Sequence, residues 1–445
     1  MMKQKIFVLV MMLWLIAMAV QAQRPIGSIR GDLEQLDGVI EVEPLRCDTF
    51  FLEKYLVRVE QPVDHGKKKS PVFSQRVYVG FKGRTRPTVF VTEGYTAHYA
   101  AWPKYVEELC LLLDANLVFV EHRYFGESIP DSTTWNYHTI KQSASDHHRI
   151  NRLMKNIFSG EFVSTGVSKG GQTTMYYNYY YPDDARVWIP YVGPLNFSIA
   201  DQRVNPFINH IGSDDCRRKI RDFQVIALKR QDDLMDDFIS RAEKEDYHFG
   251  IAGGYGAAFE YIVLEYPFAF WQWGDIPCEN IPSAAAGDST VLAHLLAVSP
   301  MDYFADEGIE GMWPFFYQAL TQIGYYDYDT TGVGQYLDEV SDLTFSFMAP
   351  EGTSPKFKKK YMRRVNRHLQ KHGNNMIFIY GEYDPWSSTG FTPDNGKTNA
   401  LRIVKPGGSH TARIRNLPEN LQHQVLDSLE KWMDVPVNRD LPWVK

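Results

Sequence analysis

The stretch that decides the fold is Phe162-Val-Ser-Thr-Gly-Val-Ser-Lys-Gly-Gly171. Its first half is apolar and predicts a buried strand, which runs into a G-x-S-x-G turn at Gly166-Val-Ser-Lys-Gly170. Glycines on both sides of Ser168 let the backbone reverse sharply without a Cβ clash. Such a hinge exposes a serine hydroxyl at the carboxyl edge of a sheet, where it can act as a nucleophile. A serine flanked in this way arises by chance in roughly one chain in ten of this length, so the surrounding sequence has to decide.

The segments around this motif predict a parallel sheet. Short, continuously apolar runs at 88–92, 116–121 and 187–192 are typical of strands that are buried on both faces. Helical patterns separate them, and the resulting order β-α-β-α-β-α-β indicates parallel strands covered by helices on both sides. Two alternating segments, 55–60 and 72–79, come first and predict an antiparallel pair.

Between residues 197 and 373 this rhythm stops. The segment contains helical patterns and aromatic connectors, and the chain then returns to apolar strands at 375–380 and 399–404. We therefore predict residues 23–196 as the first part of the core, 197–373 as a helical cap insertion and 374–445 as the second part of the core. The helical patterns within the insertion are 217–245, 257–266, 337–348 and 356–372.

Polar residues with catalytic potential follow three of the predicted strands. Ser168 follows the strand at 161–167, Asp384 follows the strand at 375–380, and His410 follows the last strand. Loops at the carboxyl ends of parallel strands meet at one edge of the sheet, and the chain order Ser, Asp, His is that of α/β-hydrolases. The predicted fold is therefore an α/β-hydrolase, a doubly wound and mostly parallel sheet with a large helical cap insertion.

Each of the three residues has an alternative. Ser168 could cap the following helix, although the flanking glycines favour a nucleophile. Glu382 or Asp394 could replace Asp384, since both lie in the same loop. His410 could be a solvated loop histidine, although the preceding Gly-Gly and the position after the final strand favour catalysis.

The chemistry requires a role for each group. A serine hydroxyl is a poor nucleophile at neutral pH, so His410 must take its proton. Asp384 would orient the imidazole and stabilise the imidazolium that forms. The developing oxyanion needs fixed donors. We expect them to be the backbone N–H of Lys169, directly after the nucleophile, and the backbone N–H of Tyr95 in the loop that follows the strand at 88–92.

Composition narrows the class of protein. The 445 residues are 44% hydrophobic and 23% charged, as in a globular protein, and the net charge of −7 argues against nucleic acid as a partner. The four cysteines lack the spacing of metal ligands. We expect no metal and no cofactor, and the sequence does not indicate an oligomeric state.

The first 22 residues predict an export signal. Two lysines precede an apolar run from Ile6 to Val20, which is shorter than the ~20 residues that span a bilayer. We expect residues 1–22 to be removed, no membrane anchor in the mature chain, and a periplasmic or secreted protein. Cys216 and Cys278 could then pair in an oxidising compartment, whereas Cys110 is predicted to be a buried free thiol.

Several motifs resemble those of one known family. Glu121-His-Arg-Tyr-Phe-Gly-Glu-Ser128, Gly166-Val-Ser-Lys-Gly-Gly171 and Asp384-Pro-Trp-Ser387 are similar to motifs of the exported proline-specific serine exopeptidases. That group includes the prolyl tripeptidyl aminopeptidases, dipeptidyl peptidase II and lysosomal Pro-X carboxypeptidase. The similarity extends to Gln61-Pro-Val-Asp-His65 and Thr92-Glu-Gly94, and so covers most of the chain outside the insertion.

One position departs from the eukaryotic members of this group. They usually carry an aromatic residue directly after the nucleophile, where this chain has Lys169. Within the insertion, Tyr266-Pro-Phe-Ala-Phe-Trp-Gln-Trp273 and Tyr317-Gln-Ala-Leu-Thr-Gln-Ile323 resemble the bacterial prolyl tripeptidyl aminopeptidases more closely.

The resemblance implies a serine exopeptidase that releases N-terminal dipeptides or tripeptides by cutting after proline. A proline ring fits an aromatic slot, for which Trp271, Trp273 and Phe316 are candidates, although aromatic residues of the insertion also build its own core. The amino terminus of a peptide substrate requires a carboxylate, for which Glu93 is the first candidate and Glu382 the second.

Two other functions remain open on the same fold. An esterase or lipase is the first, because the triad does not distinguish an amide from an ester. The polar, tyrosine-rich segment 317–336 would line a long acyl chain poorly. A peptide-binding module with a relic triad is the second, and it is disfavoured because all three catalytic positions are filled.

Overall fold

The computed structural model describes residues 28–48, 50–130, 134–394 and 396–445. Within these residues, nine strands form one mixed sheet. The strands in chain order are β1 (Val39–Leu45), β2 (Glu53–Pro62), β3 (Val72–Phe81), β4 (Thr88–Thr92), β5 (Asn116–Val120), β6 (Phe162–Val167), β7 (Val187–Tyr191), β8 (Ile377–Gly381) and β9 (Leu401–Lys405). The predicted export signal, residues 1–22, lies outside the described residues.

The order of the strands establishes the fold class. Across the sheet the order is β1-β2-β3-β5-β4-β6-β7-β8-β9. The first three strands are antiparallel, β3 is also antiparallel to β5, and every pair from β5 to β9 is parallel. An antiparallel strand beside a parallel block, with the strand before Ser168 in the middle of that block, is the α/β-hydrolase arrangement. The predicted α/β-hydrolase sheet is confirmed.

Helices cover both faces of the sheet, as the parallel strands require. In chain order they are α1 (Arg30–Glu34), α2 (Glu108–Leu113), α3 (Ile140–Met154), α4 (Lys169–Tyr180), α5 (Val204–Ile208), α6 (Asp214–Lys229), α7 (Gln231–Lys244), α8 (Tyr255–Trp273), α9 (Asp288–Val298), α10 (Asp306–Gln318), α11 (Lys360–His372) and α12 (Glu419–Met433).

Alternation along β4 shows how the two faces are filled. Phe90 belongs to the core that contains α3, α4 and α11, whereas Val89 and Val91 belong to the core beneath α2 and α12. Successive side chains of a strand point to opposite faces, so one five-residue strand contributes to both cores. The segment between β7 and β8 carries α5 to α11 and packs its aromatic residues into the first of these cores.

The helical segment differs from the sequence prediction in several places. The helix predicted at 217–245 is two helices, α6 and α7, which meet at Arg230. The helix predicted at 257–266 continues to Trp273 as α8, with Pro267 inside it. Helices α9 and α10 were not predicted. The domain boundaries at 197 and 373 stay predictions.

The helix predicted at 337–348 is wrong. The structure places only a single helical turn, Ser346–Met348, within that segment. The buried carboxylate of Glu260 accepts hydrogen bonds from the backbone N–H groups of Asp338 (2.7 Å) and Val340 (2.8 Å). The apolar residues at helical spacing in this segment therefore belong to a loop. Its backbone N–H groups bond to the Glu260 carboxylate instead of forming intrahelical hydrogen bonds.

Cys216 of α6 and Cys278 form a disulfide, one of the two outcomes left open by the sequence. The predicted buried free thiol at Cys110 is confirmed. We expect the Cys216→Ser and Cys278→Ser double variant to lose about 4 kcal/mol of unfolding free energy, since the bond closes a loop with a sequence separation of 62. Denaturant titration without reductant measures this loss.

Cys47→Ser is the matched control for the disulfide variant, because Cys47 is a half-buried free thiol. It should change the unfolding free energy by less than about 1 kcal/mol. Equal losses in the control and the double variant would contradict a specific contribution from the disulfide.

Candidate active site

The turn after β6 holds Ser168 in a strained conformation. Its φ of 57° and ψ of −119° lie outside the ordinary regions for a residue with a Cβ. The turn is tight because a Cβ on Gly166 would collide with the Gly170 carbonyl, and one on Gly170 would lie 2.8 Å from the Thr92 carbonyl oxygen. These glycines therefore permit the close approach that places Ser168 at the start of α4, which begins at Lys169.

The loops after β8 and β9 bring together Asp384 and His410. The Nδ1 atom of His410 lies 2.8 Å from Oδ2 of Asp384, and both side chains are buried. The other oxygen, Oδ1, accepts the backbone N–H of Trp386 at 3.1 Å. The backbone N–H of His410 donates to the Gln272 carbonyl of α8 at 2.8 Å. The carboxylate thus holds one ring nitrogen, and the other remains available for proton transfer.

The competing carboxylates of the same loop do not reach His410. Glu382 is exposed and accepts the backbone N–H of Gly407 at 2.6 Å. Asp394 is exposed and pairs with Lys397. Of the three acidic residues that the sequence offered, Asp384 is therefore the one whose carboxylate contacts His410.

Lys169 follows Ser168, and its side chain is buried beneath the loop after β4. Its ammonium donates to the Gly94 carbonyl at 2.6 Å, and its Nζ lies 5.6 Å from the centre of the Tyr95 ring. Burial lowers the pKa of Lys169, and the negative charge of Glu93 opposes that shift. As the first residue of α4, Lys169 has a backbone N–H without an intrahelical acceptor.

The backbone N–H of Tyr95 does not point where the sequence prediction places it. It donates to Oε1 of Glu93 at 3.3 Å. The Glu93 carboxylate thus accepts the N–H group that was predicted to be the second oxyanion donor. Tyr95 and Ser168 line the same cavity, but the orientation of the Tyr95 peptide unit depends on the fold of the loop.

Glu121, the first residue of the Glu-His-Arg-Tyr motif, supports the same loop. Its carboxylate accepts the backbone N–H of Ala97 at 2.9 Å and the Arg76 Nε–H at 2.8 Å. The Arg76–Glu121 pair is buried, so removing either partner would leave an unpaired buried charge. Glu121 therefore holds the loop after β4 in place through the backbone of Ala97.

A cavity of about 360 Å³ opens beside Ser168, between the strand ends and the helical segment. Trp273, a predicted proline-slot residue, lines it and has 46% of its surface exposed. Trp271 and Phe316, the other two candidates, are buried away from it, so these assignments are corrected. Consecutive residues of a helix point about 100° apart, and Phe315 faces the cavity where Phe316 does not. The aromatic residues that line the cavity are Tyr95, Trp273, Tyr303, Phe315, Tyr325, Tyr326 and Trp386.

The two carboxylates predicted to bind a substrate amino group do not line this cavity. Glu93 lies beneath the loop, where its Oε2 accepts the Tyr99 hydroxyl at 2.8 Å. Burial raises the pKa of Glu93 to about 7, against the hydrogen bonds that it accepts. Glu382 is on the surface, as described above. Both assignments are corrected, because neither side chain reaches the cavity at Ser168.

Glu265 of α8 is the buried carboxylate that does line the cavity, and the sequence prediction missed it. Its Oε2 accepts the hydroxyls of Tyr326 (2.7 Å) and Tyr328 (2.9 Å). Burial raises the pKa of Glu265 to about 7, and these hydrogen bonds oppose the shift. Within the described residues, no Lys, Arg or His pairs with it. Glu265 is therefore a carboxyl group inside the cavity whose hydrogen-bond partners in the described structure are two tyrosine hydroxyls.

The model of the family described as PS-10 peptidase S37 matches residues 26–439. The chain belongs to the S37 peptidases. This family confirms the predicted serine peptidase and the resemblance to which the motifs pointed.

This S37 peptidase is similar to several named peptidases. It is 28% identical to the prolyl tri/tetrapeptidyl aminopeptidase of Streptomyces mobaraensis over 428 residues, which cover 94% of this chain and 88% of that protein. It is 26% identical to the lysosomal Pro-X carboxypeptidase of Homo sapiens, covering 83% of this chain and 86% of that protein. Among solved structures, the proline iminopeptidase of Mycobacterium smegmatis aligns with 84% of this chain and 98% of its own, at 13% identity and a TM-score of 0.39.

No helix of the described part of this S37 peptidase combines the length and the apolar character that a membrane span requires.

Proposed function

We propose that this S37 peptidase releases short peptides from the amino termini of its substrates by cutting after proline. The observation that carries the proposal is Glu265, a buried carboxylate without a cationic partner in the described structure, in the same cavity as Ser168. A substrate ammonium group would supply the missing positive charge. An aminopeptidase needs both a nucleophile and such an anchor in one cavity.

In the proposed reaction, Ser168 is the nucleophile. Its oxygen attacks the carbonyl carbon after proline while Nε2 of His410 takes the hydroxyl proton. Asp384, at 2.8 Å from Nδ1, stabilises the resulting imidazolium. His410 then gives the proton to the leaving amine, and an acyl-enzyme forms on Ser168. Water activated by the same histidine hydrolyses it.

The aromatic side chains of the cavity suit a proline ring. Trp273, Phe315, Tyr325 and Trp386 present apolar surfaces around the space next to Ser168. Proline is a compact apolar ring without a backbone N–H, so aromatic faces can contact it without leaving a backbone donor unpaired. Trp273 also lies edge-on to the His410 ring, with 5.9 Å between the ring centres.

The helix α8 supports a released length of about three residues. It carries Glu265 and, seven positions later, Gln272, whose carbonyl binds the backbone of His410. Seven residues span about 10 Å along a helix axis, and an extended peptide rises about 3.3 Å per residue. The positions at which α8 carries the proposed amino anchor and contacts the His410 backbone are therefore separated by about the length of an extended tripeptide.

The charges of the cavity favour an aminopeptidase over a carboxypeptidase. A carboxypeptidase must bind a terminal carboxylate, which calls for a cation. Among the described residues that line the cavity, Lys169 is the only basic side chain; burial lowers its pKa well below the usual range, and its amino group is bonded to the Gly94 carbonyl. The name of the Streptomyces mobaraensis relative, an aminopeptidase, agrees with this polarity. A long acyl chain would also bury the Glu265 carboxylate against apolar groups, which disfavours the esterase or lipase alternative.

We further propose that residues 1–22 direct export to the periplasm or the medium. The Cys216–Cys278 disulfide supports this, since structural disulfides persist in oxidising compartments. Expression of the full chain and of residues 23–445, followed by cell fractionation, tests it. Retention of both forms inside the cell would contradict export.

A substrate panel tests the proposed activity. The panel contains coumarin amides of Ala-Ala-Pro, Ala-Pro and Pro with free amino groups, acetyl-Ala-Ala-Pro amide, and p-nitrophenyl butyrate and palmitate. We expect Ala-Ala-Pro amide to have the highest kcat/KM and acetylation to lower it at least about 100-fold. Full turnover of the acetylated substrate would indicate an endopeptidase, and turnover of the esters alone would indicate an esterase.

The pH dependence of amino-group recognition should follow Glu265. Its pKa is raised to about 7, so the carboxylate loses its charge as the pH falls through that value. A peptide amino group loses its proton above about 8. The ratio of kcat/KM for free and acetylated Ala-Ala-Pro amides should therefore peak between about pH 7 and 8. A ratio that stays constant from pH 5 to 9 would contradict the role of Glu265.

A further inference from the structure

The oxyanion formed during acyl transfer needs fixed hydrogen-bond donors, and we expect two. The backbone directly after Ser168 supplies the first of them. The N–H of Lys169 follows the nucleophile and has no intrahelical acceptor. The backbone N–H of Tyr95, expected from the sequence to be the second donor, instead donates to Glu93 at 3.3 Å. A different group must face the oxyanion from the side of the loop after β4.

The side chain of Tyr95 offers a hydroxyl group in the same cavity. Tyr95 lines the cavity together with Ser168 and Lys169, and its phenol is beside the Ser168 hydroxyl. The ring is held from several sides. Phe125 packs edge-on to it at 5.5 Å between ring centres, Phe315 lies at 5.9 Å, and the Lys169 ammonium lies 5.6 Å from its centre.

We propose that the side-chain hydroxyl of Tyr95 is the second oxyanion donor, paired with the backbone N–H of Lys169. This inference rests on the proposed acyl transfer at Ser168 and concerns the same reaction. When the bond from Ser168 Oγ to the carbonyl carbon forms, the π electrons of the carbonyl move onto its oxygen. The Ser168 proton goes to His410, and the Tyr95 hydroxyl donates a hydrogen bond to the oxyanion without transferring its proton.

The surroundings of Tyr95 fit a permanent donor. Burial raises the pKa of the phenol well above its usual range, so the hydroxyl stays protonated wherever the enzyme works. Side-chain hydroxyls of tyrosine are among the groups that form oxyanion holes. A ring packed between Phe125, Phe315 and the Lys169 ammonium has little freedom to turn away, so the donor is positioned before the substrate arrives.

The contacts behind the loop account for the orientation of the Tyr95 backbone. The Lys169 ammonium binds the Gly94 carbonyl at 2.6 Å on one side of the peptide unit. Glu93 accepts the Tyr95 N–H on the other side, and Tyr99 holds the second oxygen of that carboxylate at 2.8 Å. Both polar groups of the peptide unit between Gly94 and Tyr95 are therefore occupied within the protein.

The variant Tyr95→Phe tests the proposal, because it removes one oxygen atom and keeps the packed ring. We expect kcat on Ala-Ala-Pro amide to fall about 10²–10³-fold and KM to stay within about threefold. Binding of the aldehyde Ala-Ala-prolinal, which forms a tetrahedral adduct with serine, should weaken by a similar factor. Binding of the product Ala-Ala-Pro should not change, since the product has no tetrahedral oxyanion.

Tyr261→Phe is the matched control, because the Tyr261 hydroxyl donates to the Asp342 carbonyl at 3.0 Å outside the cavity. It should keep kcat within about twofold. If Tyr95→Phe keeps wild-type kcat and aldehyde affinity, the backbone N–H is the donor and the proposal is overturned. Equal losses of aldehyde and product affinity would also overturn it, because they indicate a structural role.

A readout without any peptide separates this inference from the proposed substrate. Ser168 should react with a fluorophosphonate, whose phosphoryl oxygen occupies the oxyanion hole. We expect the labelling rate of Tyr95→Phe to fall at least tenfold while Tyr261→Phe labels like the wild type. If no prolyl amide is cleaved but this difference appears, the proposed substrate is wrong and the Tyr95 role stands. Equal labelling rates would overturn the Tyr95 role whatever the substrate.

Discussion

Replacing Ser168 by alanine should lower kcat on Ala-Ala-Pro amide by about 10⁶-fold, the loss seen when the nucleophile of a serine peptidase is removed. The structure gives the reason, because Ser168 sits on the strained turn between β6 and α4 and lines the cavity. Water is then the remaining nucleophile. Steady-state kinetics with purified protein and fluorophosphonate labelling both measure the loss.

Ser164→Ala is the matched control for that variant. Ser164 is a buried serine of the same strand, β6, and its hydroxyl has no hydrogen-bond partner among the described residues. Removing an unpartnered buried hydroxyl costs little stability, so kcat should stay within about twofold. Both variants should have the wild-type free energy of unfolding to within about 1 kcal/mol. An alanine variant at Ser168 that keeps more than about 1% of kcat would contradict the proposed nucleophile.

Replacing Glu265 by glutamine should lower kcat/KM on Ala-Ala-Pro amide by about 100-fold. The change keeps the shape of the side chain and removes the charge that faces the substrate ammonium. Loss of one partner of a buried charge pair costs about 2–5 kcal/mol, and 100-fold corresponds to about 2.7 kcal/mol. The acetylated substrate has no ammonium, so its low kcat/KM should not fall further.

The control for Glu265 is the other carboxylate of the cavity, Asp302, which is exposed. An exposed charge pair contributes about 0–1 kcal/mol, so Asp302→Asn should lower kcat/KM less than about fivefold. If Asp302→Asn lowered kcat/KM more than Glu265→Gln, the result would indicate that Asp302 rather than Glu265 binds the amino group. Equal losses on free and acetylated substrates for Glu265→Gln would indicate a structural role instead.

Much of the sheet could be predicted, because buried parallel strands appear as continuous apolar runs. The strands β4, β5, β7 and β8 are completely buried, and each was predicted within two residues of its observed ends. The edge strand β1 was missed. Only Val42 of its seven residues is buried, and the alternation of apolar and acidic residues covers only positions 40–43 before Pro44 interrupts it. An edge strand takes its conformation from its neighbour.

The helical segment was harder to predict because its conformation depends on hydrogen bonds between parts that are distant in the sequence. The loop at 337–348 has apolar residues at helical spacing, yet its backbone donates to Glu260 of α8. That carboxylate lies about 80 positions earlier in the chain. Local periodicity therefore reported which residues are buried but not the conformation that buries them.

The sequence by itself determined the α/β-hydrolase sheet and the strand ends that carry Ser168, Asp384 and His410. Burial on both faces, glycines in a tight turn and the order along the chain are local properties that a sequence displays. Tertiary structure alone decided that Glu265 rather than Glu93 lines the cavity, that Trp273 faces it and Trp271 does not, and where the Tyr95 backbone points. The direction of a side chain or a peptide unit depends on partners far away in the chain, such as the Tyr326 hydroxyl on Glu265.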